Sequence, residues 1–257
     1  MRTWTRLFPA IAVVLGFAAL EGCGGGKKPE RPDPAIAALT HYRMAQSLLS
    51  NGRIPEAIAE VERATMLAPA NAEIENFHGQ ALLLGGRYLQ AEAAFRKALQ
   101  DDPYLTDVHN NMGALYHRMG KKAEAEEHFR AALADPSYAT PEKVHLNLGM
   151  LYASEGREDE AIRELRAAVE IDSKYYRAHY ELAMRLDAVG KLEEAAREYE
   201  VAAPDYKMVG EYHYRLGFAY LRLGNKASAR EHLLRVLEVA PGSENSARAD
   251  ELLKLVR

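Results

Sequence analysis

The chain has 257 residues, 27% of them charged and 48% hydrophobic, an ordinary composition for a folded globular protein that excludes disorder as the default state. Its 33 basic and 37 acidic residues leave a net charge of -4 with no basic stripe, so nothing points to nucleic acid, whose phosphates require clustered Lys and Arg. A single cysteine excludes an intramolecular disulfide and a cysteine-built zinc site, so packing alone must hold the fold.

Arg2 and Arg6 precede a 14-residue apolar run, Leu7 to Leu20, and small residues follow, which is the order of a secretory signal. At about 1.5 Å per residue this run is shorter than the roughly 30 Å hydrocarbon core of a bilayer, which makes a permanent span the weaker reading. Leu20-Glu21-Gly22-Cys23 then resembles a bacterial lipobox. The resemblance implies that residues 1–22 are a lipoprotein signal peptide and that Cys23 is acylated and becomes the N-terminus after cleavage. Beyond that covalent lipid no cofactor or metal is expected. A lone cysteine among glycines, outside any packed element, fits attachment better than burial. A P-loop reading of the same stretch fails, because Glu21 occupies the first glycine position and Lys28 stands where Ser or Thr should hold magnesium. Cleavage leaves 31 basic and 36 acidic residues, a net charge of -5. Residues 23–34 read as a lipidated cysteine and a flexible Gly-, Lys- and Pro-containing tether, closed by Asp33 and Pro34 as N-cap and first helical residue.

Beyond the tether the sequence repeats itself. Taking Ala38, Ala72, Thr106, Glu142, Tyr176 and Gly210 as first positions gives six units with steps of 34, 34, 36, 34 and 34 residues. Position 8 is always small (Ala45, Gly79, Gly113, Gly149, Ala183, Gly217), and position 20 is always alanine, as two touching helices require. Position 15 is glycine in all six units (Gly52, Gly86, Gly120, Gly156, Gly190, Gly224), the residue that lets a helix stop in a left-handed turn. This pattern resembles the tetratricopeptide repeat over residues 38–241, with that family's large residue at position 24 (Val61, Phe95, Phe129, Leu165, Tyr199, Leu233). The resemblance implies an all-α, right-handed superhelical solenoid: six helix-turn-helix repeats over 35–241 and a C-terminal capping helix within 242–257, running from Ser243 to Arg257.

Five of the nine histidines (His41, His109, His145, His179, His213) sit at position 4, where a bulky side chain packs, and their spacing from unit to unit is too wide for one metal. Acidic residues fall among Lys and Arg on second helices as solvated faces. No nucleophile, dyad or metal arrangement emerges, so an enzyme is not expected.

The resemblance assigns positions 2, 5, 9 and 12 of each first helix to the concave surface. Candidate groove residues there are Tyr42, Asn76, Asn110, Leu146, Met150, Tyr180, Met184, Tyr214 and Phe218. From Leu146 onward they are apolar or aromatic where solvent-facing side chains would be charged. Two readings stay open: a groove for an apolar peptide or helix, or side chains consumed in the array's own packing.

Lipobox, tether and six units, together with Val108-x-Asn110-Asn111-x-Gly113-x-Leu115-Tyr116 and the enlarged junction Asp135-x-x-Tyr138, Val144 and Asn147-x-Gly149, resemble the pilotin lipoproteins of type IV pilus biogenesis, the PilF/PilW and Tgl class. That resemblance implies an outer-membrane lipoprotein on the periplasmic face. Its concave surface would bind a secretin subunit and promote secretin assembly, hence pilus formation and motility, with no nucleic-acid or small-molecule partner. A general envelope adaptor, scaffolding cell-wall or polysaccharide-export proteins, is the alternative.

Overall fold

The structure, a computed structural model, describes residues 33–256. The expected signal segment, Cys23 and the tether up to residue 32 lie outside the described residues. Six first helices, α1 (Pro34–Ser50), α3 (Ala72–Leu84), α5 (Thr106–Arg118), α7 (Pro141–Ser154), α9 (Tyr176–Ala188) and α11 (Gly210–Arg222), alternate with six second helices. The second helices are α2 (Ile54–Leu67), α4 (Tyr88–Asp101), α6 (Lys122–Leu133), α8 (Glu158–Ile171), α10 (Leu192–Tyr206) and α12 (Lys226–Val239). Each first helix packs mainly on its own second helix, and each second helix on the first helix of the next unit, so the array is an all-α repeat solenoid.

The repeat frame predicts helix starts closely. Ala72, Thr106, Tyr176 and Gly210 are the first residues of α3, α5, α9 and α11. α1 begins at Pro34, the first helical residue expected from the sequence, a full turn before repeat position 1 at Ala38. The capping helix is shorter than expected: α13 runs Glu244–Leu253 behind Ser243, whose Oγ accepts from the Ser246 amide at 3.1 Å, and Lys254–Val256 close it as a 3-10 turn.

One glycine position and one small-residue position explain why the units are alike. At position 15 φ lies between 72° and 78° in every unit, and a Cβ there would meet nothing, so backbone conformation alone demands glycine. At position 8 the demand is contact. A Cβ on Gly79 would lie 2.5 Å from the Phe95 ring, and one on Gly113 2.5 Å from Phe129, so position 8 of a first helix is the seat for position 24 of the second. Both phenylalanines are fully buried, and truncating either should cost about 3–5 kcal/mol.

The two extra residues of the third unit form a loop tied back to α5. Thr106 Oγ1 donates to Asp135 Oδ2 at 2.6 Å, and Tyr138 OH donates to Asp107 Oδ1 at 2.9 Å. Burial pushes the Tyr138 phenol up to about 12, so it stays a donor.

Candidate functional site

The inner face is built by the first helices, and position 5 decides its character. In units 2 and 3 this position is a hydrogen-bonded rung. Asn76 Oδ1 accepts from Asn111 Nδ2 at 2.9 Å, and Asn110 Oδ1 accepts from Asn147 Nδ2 at 2.9 Å, each linking position 5 of one unit to position 6 of the next. In unit 1 the same step is aromatic, with Tyr42 edge-on to Phe77 at 5.3 Å.

Further along, position 5 is absorbed by packing. Leu146 is 1% exposed and Tyr180 9%, both inside the core; the Tyr180 ring stacks on Tyr206 at 4.4 Å, and its phenol is pushed up to about 12 by burial. The expectation that Leu146 and Tyr180 line an open groove is therefore corrected. Asn76, 7% exposed, is also corrected from lining to packing. The reason is steric: each first helix is flanked by the next, which covers position 5. Tyr42, Asn110 and Tyr214 are half-buried; Tyr214 has only the short capping segment beyond it and stacks parallel to Phe218 at 6.2 Å.

Position 9 is covered less completely. Met150, Met184 and Phe218, one from each of the last three repeats, are half-buried, Met150 and Met184 packing against the core, and with Tyr214 they form a partly accessible apolar stripe. Arg222 sits over Phe218 at 5.8 Å.

A cleft of about 580 Å³ opens at the middle of the array. Leu83 and Leu84 of α3, Ala114 of α5 and Met150 of α7 give it an apolar floor, and Asn147 contributes from its place in the asparagine ladder. His117 and Arg118, at the end of α5, and Arg177, at the start of α9, supply its polar rim. Burial, then neighbouring Arg118 and Lys122, hold the His117 imidazole below the usual histidine range. Sequence reasoning placed Met150 and Ala114, both at position 9, on this face and singled out none of the other lining residues as groove residues. Leu83, His117 and Arg177 occupy positions 12, 12 and 2, already marked as concave, whereas Leu84 and Arg118 occupy position 13, outside that set.

The position-4 histidines pack, and each also has a partner that the sequence reading overlooked, at position 23 of its own second helix. His41, His145 and His179 bond Glu60, Glu164 and Glu198 at 2.6, 2.7 and 2.6 Å. His109 pairs with His128 at 3.1 Å and His213 with His232 at 3.0 Å, Nδ1 to Nδ1. The His213 Nε2 lies 2.9 Å from the Lys207 carbonyl, which it reaches by donating, so His213 accepts at Nδ1 and His232 donates. Burial lowers the pKa of all four imidazoles in these pairs. The nineteen-residue offset between partners is the signal that could have found them. Among the described residues no group of three or more His, Cys, Asp or Glu forms a metal site, and no helix is long and apolar enough to cross a membrane.

The tripartite ties of the second and third units account for the Tyr116 in the motif quoted above. Tyr116 OH donates to buried Glu92 at 2.8 Å, which also takes Arg96 at 2.5 Å. Tyr152 OH, Glu126 and Arg130 repeat the arrangement one unit on, with distances of 3.0 and 2.5 Å.

The family profile described as tetratricopeptide repeat matches residues 42–105 and 111–176, and a second profile of the same description matches 210–243. Among solved structures, PilF of Pseudomonas aeruginosa superimposes with a TM-score of 0.74 at 17% identity, covering 85% of this chain and 99% of that one. PilW, a widely conserved type IV pilus biogenesis factor, gives 0.71 at 24% identity over 85% of this chain and 97% of its own. YrrB, a tetratricopeptide repeat protein with an unusual peptide-binding site, gives 0.57 at 20% identity over 74% and 97%. A search of curated proteins returns no match.

Proposed function

We propose that this chain, which belongs to the tetratricopeptide repeat family, is a non-enzymatic pilotin. It is anchored through Cys23 in the periplasmic leaflet of the outer membrane, where its concave face binds a secretin subunit of the type IV pilus and promotes assembly of the pore. The observation that carries the reading is co-extension: the array spans nearly the whole of PilF and PilW, so the likeness covers an entire architecture rather than a few shared repeats. The half-buried stripe of Met150, Met184, Tyr214 and Phe218 supports a protein segment as ligand, because the apolar surface it leaves on a concave face gains from being covered.

Anchoring and recognition are separable on this reading. Several acyl chains at about 0.8 kcal/mol per buried CH2 hold the protein at the membrane, and the array needs no crosslink to fold. Cys23→Ala should leave helical content unchanged while the protein no longer fractionates with the outer membrane. Photo-crosslinkers at Met150, Met184 and Phe218 test recognition in cells. A secretin adduct at these sites, absent from a crosslinker at exposed Leu89 on α4, is the expected result. Adducts only with hydrolases or export proteins would replace the pilotin reading by the general adaptor.

A further inference from the structure

Two thirds of the described arginines of this array are used internally. Twelve of the eighteen described arginines hold a carboxylate within 4 Å. Arg118 and Arg177 are not among them, and both stand on the rim of this central cleft, with α7 between the helices that carry them. Arg177 donates only to the Met150 sulfur, at 3.7 Å, a weak acceptor that a carboxylate would displace. No aspartate or glutamate lines this cleft. The acid one turn beyond Arg177, Glu181, is within electrostatic reach of Arg177, Arg185 and Arg215 and forms no ion pair with Arg177 within 4 Å; burial raises its pKa. In a chain of net charge -4, the middle of the inner face is thus a local cationic site over an apolar floor.

We infer that this cleft is selective for an acidic protein segment, one in which an apolar side chain is followed within a helical turn by aspartate or glutamate. The apolar side chain lies on Leu83, Leu84 and Met150, and the acidic side chains pair with Arg118 and Arg177. The inference rests on the concave face being the binding surface, and it adds what that surface selects. The charge pattern carries the choice of occupant. Two guanidinium groups with no carboxylate within 4 Å, raised beside a low-dielectric floor, attract a carboxylate and repel a basic segment. A purely apolar partner would leave both cations uncovered, and a basic one would add like charge.

The test uses the full chain, purified in detergent, and three fluorescein-labelled helical peptides that share one leucine pattern. Their intervening positions are glutamate, glutamine or lysine. Fluorescence anisotropy should show the glutamate peptide binding about tenfold more tightly than the glutamine peptide, with the difference shrinking as salt rises, and the lysine peptide weakest. Arg118→Ala/Arg177→Ala should remove the glutamate preference and keep the glutamine peptide's affinity. Arg118→Glu/Arg177→Glu should transfer the preference to lysine, a gain that misfolding cannot mimic. Equal binding of glutamate and glutamine peptides overturns the inference and leaves the groove reading intact. Met150→Asp separates the two, since it should weaken every peptide if the groove is the surface. Binding of none of the peptides, or capture only by anionic phosphatidylglycerol vesicles, overturns the inference as well.

Discussion

The two halves of the array solve the same packing problem with different chemistry. Between units 2, 3 and 4, position 5 is asparagine, and the junctions are closed by paired amides at 2.9 Å. Between units 4, 5 and 6 it is leucine or tyrosine, and the junctions are closed by burial, with Tyr180, Tyr199, Tyr206 and Tyr212 in mutual ring contact. Part of this cluster depends on α10, which runs on past Pro204 and brings Tyr206 over Tyr180. An amide rung contributes little net energy and is costly to leave half-made, so it fixes register; an aromatic junction contributes through area and tolerates neighbours. The repeat motif thus constrains where a contact occurs and leaves its chemistry free.

The sharpest break of this contrast is Tyr212→Ala. Tyr212 is 1% exposed, and its loss should cost about 3–5 kcal/mol. Because repeat stability is nearest-neighbour in character, hydrogen exchange should accelerate in α9 to α12 and leave α3 to α6 protected. Uniform acceleration would show that the halves are one cooperative unit. Asn76→Ala should cost less, about 1–3 kcal/mol, by leaving the Asn111 amide without its acceptor. Urea denaturation should then show Asn76→Ala/Asn111→Ala losing less than the sum of the two single variants, and full additivity would deny the rung any coupling.

Acid acts on both halves together, because one imidazole pair lies in unit 3 and the other in unit 6. His109, His128, His213 and His232 all have folded pKa values below the ordinary 6.5, so the unfolded chain binds more protons as pH falls. Their stabilising contribution is complete above about pH 6.5 and is lost as pH drops through the lowered folded values. The urea midpoint should therefore be lower at pH 5 than at pH 8, and His109→Gln/His213→Gln should flatten the slope. The smallest effect on stability is expected from Met184→Glu, about 1 kcal/mol, since this half-buried side chain loses only part of its packing against the core. Partner capture should nonetheless be lost, whereas Tyr180→Ala should lose stability and capture together. Thermal melts paired with the crosslinking assay read both quantities.

These variants also mark what was legible in the sequence. Helix boundaries were readable because glycine at position 15 and small residues at position 8 are dictated by turn conformation and by contact within one unit. Met150, Met184 and Phe218 at position 9 are half-buried, and Arg177 of the next first helix reaches Met150, so the repeat frame alone does not fix their exposure. Leu146 and Tyr180 were misplaced because the same frame says nothing of how much of position 5 a neighbouring unit covers. Arg118 and Arg177 were passed over for a related reason: an unpaired cation differs from a paired one only in where its surroundings place carboxylates.

Sequence alone, then, determined a six-fold helical repeat with its turns and its small-residue seats, since those demands are local to about 34 residues and recur in each unit. Only the tertiary structure decided which inner-face side chains are exposed, which histidine meets which partner, and which arginines stand without a carboxylate. Each of those depends on packing between helices, where distance is set by the stacking of whole units and not by any spacing along the chain.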